Sequence, residues 1–228
     1  TTLKMNPDEG RRQYRLFGRN VEAAVAEAID IRGKMRSVPI RDIRDVETMA
    51  SMDVEARKKL RAVQLVADAM IGEALISNGN VNVLVSALES LAIQAGGFLD
   101  GNEKIEPTIA RKARVGLSVD LTEGRSPRKP FHWPLEFPEV FRNEGGFNAM
   151  VGNPPFMFGK HITMNLGRSY NAYLVYQNAD ANKNVDLCAH FFVRVYDLIS
   201  VGSCFAMLAS SSISEGATGN ASLGKICS

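Results

Sequence analysis

The stretch Gly146–Phe156, which reads GFNAMVGNPPF, indicates the fold because it joins an apolar strand to a rigid turn. Phe147–Val151 is a short apolar run that ends at Gly152, and two consecutive prolines then exclude regular structure. Further along, Val185–Ile199 has apolar residues at helical spacing, and 203–209 is apolar on both faces, as in a buried parallel strand. Strand, helix and strand in this order predict a βαβ unit and therefore an α/β sheet.

The turn Asn153-Pro154-Pro155-Phe156 follows the predicted first strand, at the carboxyl end where ligands collect in open α/β sheets. The side-chain oxygen of Asn153 and the backbone carbonyl of Pro154 can each accept one N–H of a planar amine, such as that of adenine. The two prolines fix these acceptors, and Phe156 offers a flat face for an extruded base. These four residues are the predicted catalytic site for methyl transfer.

The first hundred residues are predicted to be helical. Apolar residues recur at helical spacing in 20–35, in 53–77 and in 81–95, the second segment starting at an N-cap, Asp53. We interpret this block as a structural helical insertion. The cations of 57–61 (RKKLR) leave the alternative of a DNA-contacting arm, although such runs are more often solvated surface.

The character of the chain changes between Ile105 and Phe141. Cations among glycines and prolines predict an exposed basic linker, with a short strand at Val115–Val119. Pro134 and Pro138 exclude a continuous helix from the aromatic-rich segment that follows, which we predict to be extended. The predicted divisions are a helical region at 1–104, a basic linker and extended segment at 105–145, and a catalytic α/β region at 146–228.

Composition limits the class of protein. With 45% hydrophobic and 23% charged residues and a net charge of +2, the chain has the composition of an ordinary globular protein and does not demand a nucleic-acid partner. Three cysteines and three histidines are scattered without metal-ligand spacing, so we expect reduced thiols in the cytoplasm and no metal site. No uninterrupted apolar run has membrane-spanning length, so no membrane partner is expected.

Gly146–Phe156 resembles the catalytic segment of the amino-methylating DNA methyltransferases. The wider context resembles the long subgroup that includes fused restriction-modification enzymes and phage-defence methylases. The residues that carry this wider likeness are His132–Phe141, Gly159–Lys160, Tyr173–Val175, Asp186–Phe192 and Leu208–Gly216.

This resemblance implies a partial class I (Rossmann-like) methyltransferase sheet, preceded here by the helical insertion. It also implies S-adenosyl-L-methionine as the cofactor, double-stranded DNA with a flipped adenine as the substrate, and adenine-N6 methylation in a restriction-modification or defence system. The chain departs from the family at two positions. The family usually has Asp where Asn148 stands, and often Asn where Ser211 stands.

The family's main donor site is a glycine-containing loop after an earlier strand, followed by an acidic residue for the ribose. No segment before Phe131 fits this pattern, and Gly96-Gly97-Phe98 follows a predicted helix, so we interpret it as a helix stop. The cofactor-binding residues are therefore unassigned. We expect them upstream of Thr1, in the remainder of a parent polypeptide, and expect the isolated fragment to be inactive.

Two alternatives stay open. Asn-Pro-Pro followed by an aromatic residue also serves methylation of RNA bases and of protein glutamine side chains, so DNA as the substrate rests on the context at His132–Phe141. The second alternative is that the chain is a non-catalytic helical binding module with a degenerate methylase remnant. The departures at Asn148 and Ser211 and the missing donor site would fit that second reading.

Overall fold

The computed structural model describes residues 11–227, with side chains from residue 20 onward, and shows long helices followed by a small parallel sheet. The helices of the first part are α1 (Arg11–Ser37), α2 (Ile43–Ile76), α3 (Val81–Leu99) and α4 (Glu106–Leu117). The second part contains α5 (Trp133–Glu136), α6 (Pro138–Asn143), β1 (Phe147–Gly152), α7 (Gly159–Leu166), α8 (Arg168–Gln177), α9 (Leu187–Tyr196), β2 (Ile199–Met207) and α10 (Gly216–Gly219). Short 3-10 turns lie at Glu103–Ile105 and Ser211–Ser214, and a π turn lies at Asn220–Gly224.

Helix α2 begins ten residues before the predicted N-cap at Asp53. Asp42 caps it, accepting a hydrogen bond from the amide of Arg44 at 2.7 Å, while the Asp45 carboxylate accepts one from the amide of Arg41 at 2.8 Å. Asp53 lies inside the helix and pairs with Arg57 one turn later. The predicted start of the helix was wrong because an acidic residue is favourable in two places, at a helix N-terminus and in an i,i+4 ion pair within a helix. The sequence alone does not distinguish these two roles.

Helix α4 replaces the predicted strand at Val115–Val119. Ile109, Ala113 and Leu117 are buried and recur every four residues, which is the spacing of one helix face. Gly116 is not a turn residue: a Cβ there would lie 2.3 Å from the Cα of Gly72, so α2 and α4 cross at these two glycines. The prediction failed because a glycine required for close helix packing looks like a loop signal in sequence.

The largest hydrophobic core lies between α2, α3 and α4, with Leu84, Leu88 and Leu91 of α3 buried in it. Helix α3 ends at Leu99, beyond the stop predicted at Gly96. Within residues 11–227 it is the one helix that is long and apolar enough to cross a membrane. This property was missed from the sequence because only uninterrupted apolar runs were considered. Its leucines face the core on one side, whereas Val81, Val83 and Ile93 on the remaining surface are exposed.

The aromatic segment predicted to be extended forms two short helices, α5 and α6. Pro134 and Pro138 lie in their first turns, where a helix needs no backbone N–H from the residue, so proline breaks continuity without preventing helix formation. The rings of Trp133 and Phe137 lie 5.6 and 5.4 Å from that of Phe147, the first residue of β1. The segment therefore packs against the start of the sheet.

Strands β1 and β2 pair in parallel, with Ala149 opposite Cys204 and Val151 opposite Ala206, and α9 leads directly into β2. The predicted βαβ order is confirmed, and a two-stranded parallel sheet is consistent with the predicted α/β class. Phe205 of β2 packs on α9, whereas Val151 on the opposite face is 86% exposed. One face of the described sheet is thus covered and the other is open.

Candidate active site

The segment Asn153–Phe156 leaves β1 at its carboxyl end, as predicted from the sequence. The amide of Leu208, just past β2, donates a hydrogen bond to the carbonyl oxygen of Gly152 at 3.1 Å. Both strand ends therefore meet at the start of this segment. We refer to residues 153–158, which connect β1 to α7, as the base loop.

The predicted site residues lie together in the base loop and differ in exposure. Pro154 is buried, whereas Asn153 and Pro155 are exposed and the ring of Phe156 is 51% exposed. The side chain of Asn153 forms no hydrogen bond with any residue that the structure describes. The loop thus presents an amide oxygen and an aromatic face to solvent, while Pro154 attaches it to the protein. Phe158, a second exposed ring in the loop, was not singled out from the sequence.

Asp186 fixes the far end of the base loop. Its carboxylate oxygen Oδ1 accepts hydrogen bonds from the amide of Met157 at 3.3 Å and from the amide of Cys188 at 2.9 Å. The amide of Leu187 in turn donates to the carbonyl oxygen of Met157 at 2.9 Å. Asp186 is only 2% exposed, so a single buried carboxylate caps α9 and holds the loop. The sequence places Asp186 near the start of a predicted helix but does not reveal the loop contact, which is tertiary.

A second contact fixes the start of α7. A Cβ on Gly159 would lie 1.8 Å from the carbonyl oxygen of Lys183, so only glycine fits there. The Nδ2 atom of Asn171, a residue that is 2% exposed, lies 3.1 Å from the carbonyl oxygen of Gly159, 2.8 Å from Thr163 Oγ1 and 3.2 Å from the Lys183 carbonyl oxygen. Asn171 therefore joins α7, α8 and the segment before α9. No short motif in the sequence identifies this residue.

The two departures from the family pattern lie outside the base loop. Asn148 is near the start of β1, where it donates to Glu144 at 3.1 Å and accepts from Ser200 at 3.2 Å. Ser211 begins an exposed 3-10 turn after β2. Neither side chain forms a hydrogen bond with the base loop in the described part of the chain. Both substitutions are thus compatible with intact base-loop geometry.

Two titratable side chains of α9 near Asp186, His190 and Cys188, are uncharged near pH 7. Burial lowers the pKa of His190 to about 4, with the nearby charge of Asp186 acting in the opposite direction. Burial also raises the pKa of the Cys188 thiol to about 12, and its hydrogen bond with Asp186 adds to this. Both side chains lie on α9, so the imidazole is uncharged and the thiol is protonated near pH 7. His190 is therefore a packing residue and not an exposed base.

Three of the four cations in the basic run on α2 are paired with acids, and the fourth, Lys58, is exposed. Arg57 pairs with Asp53 and Glu136. In the same run, Lys59 pairs with an acid of α1 and Arg61 pairs with an acid of α4, each at 2.8 Å. These cations join α2 to its neighbours, which supports the structural interpretation of the helical region.

The base loop lies at the carboxyl end of a parallel strand, the position where ligands bind in open α/β sheets. Residues 76–226 match the Eco57I restriction-modification methylase family. Because the match covers most of the 228 residues, the chain belongs to this family of DNA methyltransferases. The match begins upstream of His132, the first residue of the resemblance, and includes α3 and α4, so these helices are part of the family's domain. No curated protein and no solved structure matches the chain significantly.

Proposed function

We propose that this chain carries the target-base pocket of an S-adenosyl-L-methionine-dependent DNA adenine-N6 methyltransferase. The observation that supports this most is the base loop, in which an unpartnered Asn153 amide and an exposed Phe156 ring follow a parallel strand of a restriction-modification methylase. In the proposed complex, Asn153 Oδ1 and the Pro154 carbonyl oxygen each accept one N–H of the adenine amine, and Phe156 stacks on the flipped base.

This arrangement addresses the weakness of the amine as a nucleophile. The lone pair of the adenine amine is delocalised into the ring, and two acceptors in the right positions favour a pyramidal nitrogen whose lone pair is free. Bound S-adenosyl-L-methionine would supply an electrophilic methyl group. Because Pro154, Pro155 and the Asp186 contacts hold the loop, the acceptors are already oriented when the base arrives.

The described residues fit the amine side of this reaction and not the donor side. Asn153 follows β1, and Leu208, Ala209 and Ser210 follow β2, so neither described strand is followed directly by a carboxylate for a ribose. The exposed apolar face at Val151 supports the further proposal that the remainder of a parent polypeptide covers this sheet and binds the donor. On this proposal the isolated chain is inactive and acts only within that larger enzyme, in the cytoplasm.

The test is Asn153→Ala in the full-length protein. We expect DNA methylation, measured with a labelled methyl donor, to fall about 100-fold or more, the effect of removing one preoriented polar group from an active site. Asn143→Ala is the matched control, since Asn143 is an equally exposed asparagine at the end of α6. Unchanged methylation or host protection in Asn153→Ala would leave a non-catalytic binding module as the better explanation.

The substrate class needs a separate measurement. The full-length protein is offered duplex DNA, RNA and protein under identical conditions, and the methylated nucleoside or side chain is identified by mass spectrometry. N6-methyladenine in DNA is the expected product. Methyl groups found only in RNA or only on protein glutamine would replace DNA as the substrate, while the role of Asn153 as an amine acceptor would stand.

A further inference from the structure

A basic surface lies next to the helices that follow the base loop. It consists of Arg111 and Arg114 on α4, Arg125 and Lys129 in the segment after α4, and Arg168 at the start of α8. All five side chains are exposed, and within residues 20–227 none of them forms an ion pair. We propose that this basic surface binds the phosphate backbone of the duplex DNA that delivers a base to the base loop, an inference that rests on the proposed function.

The segment that carries these cations is held in place. Asp120 accepts a hydrogen bond from the amide of Ser169 at 2.6 Å, which lowers the pKa of the Asp120 carboxyl and keeps it ionised. Arg128 donates to the carbonyl oxygens of Val119 at 2.6 Å and of Leu166 at 2.5 Å. Residues 118–130 are therefore fixed between the end of α4 and the junction of α7 and α8. The predicted basic linker is an attached part of the fold.

The α7–α8 junction also requires this segment. Gly167 has a φ of +97°, a conformation that favours glycine, and a Cβ there would lie 2.6 Å from the Cβ of Asp120. Arg168 follows directly, and its charge contributes to lowering the pKa of Asp120, after the larger effects of Ser169 and Arg128. Arg168 is thus close to the fixed segment, which places the α8 cation beside those of residues 118–130.

The same helices connect the basic surface to the base loop. Helix α7 starts at Gly159, directly after the loop, and Asn171 of α8 holds Gly159 through its carbonyl oxygen. A phosphate bound at Arg125 or Arg168 would therefore lie at a fixed position relative to Asn153. Phosphate contacts set the register and orientation of a duplex without reading its sequence, which is the role that delivery of one base to a pocket requires.

The balance of charge separates this surface from the α2 run, where three of the four cations are paired within the described chain. Two of the acids between residues 105 and 130 are already engaged: Glu106 pairs with Arg61, and Asp120 accepts the Ser169 amide. Glu123 is the one acid of this stretch that no described residue engages. Residues 105–130 contain six cations and three acids, and Arg168 adds a seventh cation, so the local charge is positive in a chain whose net charge is only +2. Local positive charge attracts the DNA backbone.

The experiment measures how DNA affinity depends on salt. A quadruple variant of the full-length protein, Arg111→Gln, Arg114→Gln, Arg125→Gln and Lys129→Gln, is titrated with a fluorescein-labelled 30-base-pair duplex at several salt concentrations. Because each neutralised phosphate contributes about 0.9 to the slope of log K against log salt, we expect the slope to decrease by about 3 to 4. Affinity at low salt should fall by at least about tenfold.

The matched control removes the same number of charges elsewhere. Arg41→Gln, Arg44→Gln, Lys58→Gln and Lys104→Gln alter exposed side chains that are unpaired in the described chain. Arg44 and Lys58 lie on α2, Arg41 lies just before it, and Lys104 lies in the 3-10 turn before α4. This control should keep the salt slope of the unaltered protein. A second variant that replaces Arg111, Arg114 and Arg125 by Lys should keep most of the slope, because charge alone is required.

Three results would overturn the proposal. The first is an unchanged salt slope in the quadruple glutamine variant, and the second is an equal loss in the control variant. The third is tighter binding of single-stranded RNA than of duplex DNA by the same surface. Binding is measured without methyl transfer, so a failure of Asn153→Ala to abolish methylation would refute the catalytic assignment alone, and an unchanged slope would refute the phosphate surface alone.

Discussion

Replacement of Asp186 by alanine is the sharpest test of how the base loop is held. The change removes the oxygen that accepts the amides of Met157 and Cys188. Loss of a helix N-cap costs about 1 kcal/mol, and an unpaired, partly buried amide adds about 1 kcal/mol. We therefore expect the free energy of unfolding to fall by about 2 kcal/mol, which urea denaturation followed by circular dichroism measures.

The same substitution should affect catalysis through the position of the loop. With Met157 released, Asn153 and Pro154 are no longer fixed before the base enters, and a displacement of about 1 Å can cost about 100-fold in rate. We expect kcat for DNA methylation by the full-length protein to fall by roughly 10- to 100-fold, with a smaller change in KM for DNA. A purely structural role would lower the yield of active enzyme without changing kcat per active site. Titration of active sites distinguishes such a loss of active enzyme from a true decrease in kcat.

Asp186→Asn is the conservative control. Its side-chain oxygen can still accept both amides, and asparagine is as good an N-cap as aspartate, so most of the stability and of kcat should be retained. Equal losses in Asp186→Ala and Asp186→Asn would mean that the negative charge matters and the hydrogen bonds do not. Wild-type values in Asp186→Ala would refute the assigned role of this residue altogether.

Three further predictions concern the support of the loop. Gly159→Ala should destabilise the chain by about 1–3 kcal/mol in urea denaturation, because its Cβ would lie 1.8 Å from a backbone oxygen; wild-type stability would refute this close approach. The pKa of His190 is lowered to about 4 in the folded chain, so the unfolded chain binds a proton more readily. The free energy of unfolding should therefore be highest above pH 6.5 and should fall by up to about 3 kcal/mol as the pH falls towards 4. A His190→Gln variant should lack this part of the pH dependence, and an identical slope would contradict it. Cys204 and Cys227 should react with a maleimide in the native chain, while Cys188, buried and with a pKa raised to about 12, should react only after unfolding; native labelling of all three by mass spectrometry would contradict this.

The elements that could be predicted from the sequence are those whose signal is local. The apolar run of β1, the helical spacing of α9 and the apolar run of β2 each lie within one short window, and their order gave the βαβ unit. The base loop was found for the same reason, since Asn153–Phe156 is contiguous. Its position at a strand end follows from chain order alone.

The features that were missed depend on contacts between distant residues. Gly116 lay in a predicted strand within the basic linker, whereas its contact with Gly72, on another helix, shows a close helix crossing. Asp186 lies near the start of the helix predicted at Val185–Ile199, but its hydrogen bond from the Met157 amide spans 29 residues. Asn171 had no local signal at all. Sequence periodicity describes which face of an element is buried and not which residue it meets.

The arrangement of these contacts bears on whether the base loop is a functional site or a remnant. Three separate interactions hold it: Leu208 at Gly152, Asp186 at Met157 and Asn171 at Gly159. Buried polar groups that converge on one loop cost stability unless they are all satisfied, so a chain released from catalytic function would not be expected to retain such a set. Between these points Asn153, Pro155, Phe156 and Phe158 are exposed, so the predicted acceptor and the ring are open to solvent. The loop is thus rigid where it attaches and open where a base would bind, which favours catalysis over a degenerate remnant.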